Sequence, residues 1–324
     1  MPRPVIYLFC LGFFLVSSLT YGGRKDRVAP VPANPYDNSH FLRVDSVLLH
    51  YRTWNDDLPG PRGKIVLIHG FCGSTHCWRK NIEPLVAAGF RVVAVDLPSF
   101  GYSERNPSLN QSNSSRALLV WHLLDAIDGK ETTPWNVAGH SMGGGVAEAM
   151  ALVEPTRTQT LTVVDGLVFM KSSNLTNTAS AAAKNRLVNR FLVNMTENNV
   201  FTYKTLRRLL KSAYGRQPDS VEVMGYLTPL LIDGTAQAAF GVWTHSREVV
   251  SMDVKTMPTI PLLIIWGGKD NWIGKGKGRR LQKAVPGSDM EIIPGAGHIP
   301  IETHPDEFNA IFVPWLLLNN PSSP

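Results

Sequence analysis

Ser141 stands in "GHSMGGG" (Gly139–Gly145), with glycine two residues away on either side and more glycine following. A serine hydroxyl is a weak nucleophile at neutral pH. It becomes a strong one when a histidine takes its proton and a carboxylate orients that histidine. Glycines at this spacing suit a sharp strand-to-helix turn, where side chains would collide and the hydroxyl must stand clear. Two later segments supply the partners: "WGGKDN" carries Asp270 and "GAGHIP" carries His298. Each lies just past an apolar run that reads as a buried strand, so nucleophile, acid and base project in chain order from strand ends. Asp165, just past "LTVV", is the second choice for the acid.

Attack on a carbonyl creates an oxyanion, which preorganised N–H groups stabilise. The backbone N–H of Met142, opening the helix after the serine, is one candidate donor. The other is the N–H of Phe71, in the loop after "KIVLIHG" (Lys64–Gly70). His69 and Gly70 shape that loop, and His69 reads as its brace rather than as a reacting group.

Such positions need a scaffold. Short continuous apolar runs at Lys64–Gly70, Arg91–Pro98, Trp135–Ser141, Leu161–Gly166, Pro261–Gly268 and Met290–His298 suit strands buried on both faces. Helical periodicity fills the gaps, and "FLRVDSVLLHYRTW" (Phe41–Trp54) precedes them as a hairpin or meander. Alternation of this kind predicts an α/β fold with a mainly parallel sheet flanked by helices. One interval breaks it. Residues 168–257 carry no buried-strand signal and read as amphipathic helices, a cap inserted after the sixth strand. The sheet-bearing core then comprises residues 41–167 and 258–324. Val168, Phe169, Met170, Phe191, Tyr226, Leu227, Phe240 and Trp243 are apolar enough to line a pocket or to form the cap's own core.

Other chemistries lack their residues. "IGKGKG" (Ile273–Gly278) has no Ser or Thr after its Gly-Lys pair, so it is no phosphate loop. No His/Cys cluster has zinc spacing, and neither a metal nor a cofactor is expected. The formal charge is +6, but the basic residues are scattered. A solvated surface follows rather than a nucleic-acid stripe, and contact with a membrane surface stays open.

"HGFCGSTHCW", "DLPSFGYSER", "GHSMGGG", "WGGKD" and "GAGHIPIETHPDEF" resemble, in order, the successive signatures of the α/β-hydrolase superfamily. The resemblance implies an eight-stranded sheet, a catalytic triad of Ser141, Asp270 and His298, and an oxyanion hole at Phe71 and Met142. Its lidded esterases, lipases and carbon–carbon bond hydrolases have a helical cap where this chain has its insertion. A serine nucleophile argues against the epoxide hydrolases and haloalkane dehalogenases, which use aspartate. Ile299 stands where the meta-cleavage carbon–carbon hydrolases typically have tryptophan after the histidine. The implied activity is hydrolysis of a small-molecule or lipid-like carboxylic ester. Carbon–carbon or amide hydrolysis by the same residues is the alternative, as is ligand binding without turnover.

The first 22 residues form a basic-then-apolar leader resembling a secretory signal peptide, with a membrane anchor as the second reading. A proline-rich linker covers 23–40. Sequons at Asn110, Asn113, Asn174 and Asn194 fit a secreted, glycosylated chain. In an oxidising compartment Cys72 and Cys77 could pair, though only across a turn.

Overall fold

The computed structural model describes residues 31–129, 133–166, 185–246, 257 and 259–320. The leader, the Asn174 sequon and Val168–Met170 lie outside the described residues, as does the side chain of Trp243. An eight-stranded sheet forms the centre: β1 (Ser39–Val44), β2 (Val47–Trp54), β3 (Gly63–Ile68), β4 (Phe90–Val95), β5 (Trp135–His140), β6 (Thr158–Val164), β7 (Leu262–Gly267) and β8 (Asp289–Ile293). Their spatial order is β1-β2-β4-β3-β5-β6-β7-β8. β1 and β2 form an antiparallel hairpin, and β2 runs antiparallel to β4. From β4 onward every neighbouring pair is parallel.

The runs "KIVLI", "VAG" and "LLIIW" are buried throughout because helices cover both faces. On one face α2 (Asn113–Asp128) and α3 (Met142–Val153) place Trp121, Leu124, Val146 and Met150 against Val66, Val137 and Val163. On the other, α1 (Ile82–Ala87) and the C-terminal α10 (Pro305–Asn319) place Leu85, Phe308 and Phe312 against Ile65, Leu67 and Val92. Removing each such side chain from water contributes roughly 1.5–3 kcal/mol.

Between β6 and β7 the described residues are helical: α4 (Arg186–Met195), α5 (Tyr203–Tyr214), α6 (Ser220–Leu230) and α7 (Thr235–Thr244). Local sequence sets their ends. Thr202 accepts from the Thr205 N–H at the start of α5, and Gly215, with φ +70°, closes it. Asp219 and Glu222 form a reciprocal capping box on α6. Leu206, Leu210, Val223 and Leu227 pack into the same apolar cluster as α1 and α10, joining these helices to the sheet domain. Two short helices, α8 (Gly276–Ala284) and α9 (Pro300–Thr303), follow β7 and β8. Among the described residues no helix is long and apolar enough to cross a membrane.

Cys72 and Cys77 are free thiols, so the pairing that an oxidising compartment would allow is not formed. The Cys77 Sγ instead donates to the Tyr226 hydroxyl at 3.2 Å, and burial pushes its thiol up to about 12.

Candidate active site

Ser141 follows directly on β5 and caps α3 with φ 54° and ψ −117°, a left-handed conformation that costs a non-glycine residue on the order of 1–3 kcal/mol. The surrounding glycines explain how the turn is tolerated. A Cβ at Gly139 would lie 2.1 Å from the Gly143 carbonyl oxygen, and one at Gly143 would lie 2.5 Å from the carbonyl oxygens of Ile68 and His69. The Ser141 N–H donates to the Val164 carbonyl at 2.9 Å, tying the turn to β6.

Three loops at one end of the sheet bring the chosen side chains together. Ser141 Oγ lies 3.0 Å from His298 Nε2, and His298 Nδ1 lies 2.9 Å from Asp270 Oδ2. Asp270 Oδ1 accepts the N–H groups of Trp272 at 2.7 Å and Ile273 at 2.9 Å. Burial would raise this carboxyl, but His298 and the hydrogen bonds hold it below the ordinary carboxylate range. With Nδ1–H donated to the carboxylate, Nε2 is left facing the serine as an acceptor.

The loop after β3 closes the other side. His69 is wholly buried; its Nδ1–H donates to the Gly70 carbonyl at 2.7 Å and its Nε2 accepts the Leu97 N–H at 2.9 Å. Burial keeps it neutral by lowering its pKa. It braces the loop, and a Cβ at Gly70 would approach the Ser141 Cβ to 3.0 Å. Phe71 lines the space above the serine, its ring edge-on to Phe100 with centroids 5.1 Å apart. Met142 opens α3, where helix geometry leaves its N–H without an intrahelical acceptor.

These groups border a cavity of about 260 Å³ between the strand ends and α5–α7. Leu206, Leu210, Ala239, Phe240 and Trp272 contribute much of its apolar wall. Tyr226 lines it too, whereas Phe191 is 65% exposed and Leu227 is buried in the apolar cluster.

The sequence itself now decides the family. Residues 64–305 match the family model described as alpha/beta hydrolase fold. The chain belongs to that family. It is 26% identical over 297 residues to a 2-hydroxy-6-oxononadienedioate/2-hydroxy-6-oxononatrienedioate hydrolase of Cupriavidus pinatubonensis, covering 86% of this chain and 95% of that one. Among solved structures, a thermophilic esterase from Thermogutta terrifontis superposes with a TM-score of 0.69 at 18% identity, over 87% of this chain and 99% of the other. The enol-lactonase from Burkholderia xenovorans gives 0.66 at 18% identity, over 86% and 99%. At such identities the two structures share the fold.

Within this hydrolase fold, three neighbours of the site were not legible in the motifs. Trp272 stacks on the His298 ring, and its Nε1–H donates to Ser212 of α5 at 3.1 Å. His140 donates from Nε2 to the His298 carbonyl at 2.8 Å; burial, then the nearby His298, lowers its pKa to about 3. The Ala213 carbonyl of α5 accepts the His298 N–H at 2.7 Å, and a Cβ at Gly297 would lie 2.3 Å from that same oxygen. Gly297, the second glycine of "GAGHIP", was the one available signal for this close approach.

Proposed function

We propose that the protein is a serine hydrolase that cleaves carboxylic esters of apolar acyl or aryl groups, with Ser141 as nucleophile. The observation carrying this reading is the continuous chain Ser141–His298–Asp270 at 3.0 and 2.9 Å, opening on an apolar cavity. As Oγ adds to the ester carbonyl, its proton passes to His298 Nε2, and Asp270 stabilises the imidazolium. The N–H groups of Phe71 and Met142 hold the oxyanion; removing one such donor typically costs ~3 kcal/mol. His298 then protonates the departing alkoxide as the carbon–oxygen bond breaks, leaving an acyl-serine. Water, deprotonated by His298, adds to that acyl group, and collapse returns Ser141 and releases the acid.

Charge favours esters over the substrate for which the Cupriavidus relative is named. A dienedioate is a dianion at neutral pH and calls for cationic partners. Among the described residues lining the cavity, none is lysine or arginine. The volume, near the lower end of small-molecule sites, suits a short or medium acyl group. The leader and sequons support a location outside the cytosol.

The test is hydrolysis of p-nitrophenyl esters graded by acyl length, with wild type and Ser141→Ala. Turnover should fall at least about 10³-fold in the variant. Wild-type turnover in the purified variant rules the assignment out, and silence of the wild type across the panel removes ester substrates.

A further inference from the structure

The hydrogen bonds around Asp165 and Asp270 do not balance if both side chains are ionised. Asp165 follows β6 with φ 43° and is fully buried. Its Oδ1 accepts the Gly267 N–H at 2.9 Å, while its buried Oδ2 receives no donor from the described residues. One oxygen of Asp165, one of Asp270 and a ring nitrogen of His298 all lie within 4.8 Å of one another. Two carboxylates this close and out of water do not both stay charged; one keeps a proton.

The donors decide which. Asp270 receives two backbone N–H groups on Oδ1 and the His298 Nδ1–H on Oδ2. Among the described residues, Asp165 receives a single backbone N–H. We propose that Asp165 is a neutral carboxylic acid whose Oδ2–H donates to Asp270, making it a positioning residue for the carboxylate that orients His298. This rests on the reading of Asp270 as the orienting acid. It also removes Asp165 from that role, since a neutral acid cannot stabilise an imidazolium. Burial first, then the Asp270 charge and the bond to it, push the Asp165 carboxyl well above the ordinary range. Among the described residues, the titratable groups facing the pair are His298, from the loop after β8, and His140, whose ring centroid lies 5.1 Å behind that of His298.

The pair accordingly carries one negative charge, and a hydrogen bond from the β6 side fixes the Asp270 carboxylate. Asparagine reproduces this arrangement: its amide oxygen accepts from Gly267, its NH₂ donates to Asp270, and it tolerates positive φ. Alanine supplies neither group.

Infrared spectra of protein labelled with ¹³C at aspartate carboxyls, together with kinetics, test the proposal on wild type, D165N, D165A and D270N. At neutral pH the wild type should show the carbonyl stretch of one protonated, buried aspartic acid, and D165N should lack it. D165N should keep kcat/KM within roughly threefold and leave the acid limb of its pH profile in place, because donor and charge are both preserved. D165A, if folded by circular dichroism, should lose about tenfold or more in kcat. A wild-type spectrum without the protonated carboxyl overturns the proposal. So does a D165N enzyme as inactive as D270N, or one whose acid limb moves by about a pH unit or more, the sign of a lost negative charge. The spectrum needs no substrate, so it decides the matter even if ester turnover is absent and separates this proposal from the functional one. D165N covers the case in which D165A does not fold.

Discussion

The indole of Trp272 lies flat against the imidazole of His298, with ring centroids 5.2 Å apart and 22° between the planes. The same residue reaches α5 through its Nε1–H bond to Ser212 and donates its backbone N–H to Asp270. One residue thus holds the His298 ring in place and ties it to the helical insertion. Trp272→Ala should lower kcat about 10- to 100-fold with a smaller change in KM, because a misplaced base mainly affects bond making. Trp272→Phe keeps a ring on His298 and loses the Ser212 bond, so its kcat should fall by roughly twofold to fivefold. Equal losses in the two variants would mean that the Ser212 bond, not the stacking, is what matters.

Glu302, on α9 and fully buried, joins the insertion to the core. Its carboxylate accepts the Tyr214 hydroxyl at 2.8 Å, the Tyr226 hydroxyl and the Arg79 guanidinium. The tyrosines belong to α5 and α6, while the glutamate and arginine belong to the core. Truncating a buried ionic partner leaves the others unpaired, so Glu302→Ala should cost about 3–5 kcal/mol of stability. Tyr226→Phe removes one donor and should cost roughly 1–2 kcal/mol. Urea denaturation and proteolysis within 185–246 measure both. A Glu302→Ala protein with wild-type midpoint and protease resistance would refute the latch.

Much of this molecule was legible because strand ends carry distinctive sequence. Ser141 and Asp270 each follow a run of buried apolar residues, whereas β8 before His298 is a half-exposed edge strand and not the doubly buried one its apolar run suggests. The close approaches around Gly139 and Gly143 admit no side chain. Contacts between the insertion and the core left weaker marks. Glu302 sits in "PIETHP", where nothing local distinguishes a buried glutamate from an exposed one, since its partners lie 76 to 223 residues away. Trp272 reads equally well as core. Phe191 misleads in the other direction: the periodicity that marks α4 as amphipathic does not say whether its apolar face is covered, and here the ring is 65% exposed.

Acid should destabilise the fold before its carboxylates titrate. Burial lowers the His140 pKa to about 3 and that of His76 to about 4, against 6.5 for either residue in the unfolded chain. Below pH 6.5 the unfolded state therefore binds more protons, and stability falls as pH drops toward the folded values. Each histidine adds a slope of up to about 1.4 kcal/mol per pH unit. Asp165, raised on folding, acts oppositely: above pH 3.8 its folded form holds the extra proton, so it offsets part of the loss on acidification. Urea midpoints measured from pH 7 to 4.5 should fall, and His76→Gln, away from the serine, should flatten the curve. Parallel curves for wild type and variant would show that His76 is not buried neutral.

Acyl length should be set by the α5 wall of the cavity. Leu210 is 4% exposed, lines the cavity, and lies one turn before Ala213, whose carbonyl holds the His298 backbone. A larger side chain there occupies acyl space while leaving Ser141, His298 and Asp270 untouched. Leu210→Trp should therefore leave kcat/KM for p-nitrophenyl acetate within about threefold, since an acetyl group does not reach the far wall. For hexanoyl and longer esters it should fall by about tenfold or more, the scale on which a pocket discriminates by a few methylenes. A uniform loss across the series would signal displacement of the α5 carbonyl and with it the base. A loss confined to the short esters would mean that the acyl group lies elsewhere and the alcohol occupies this space.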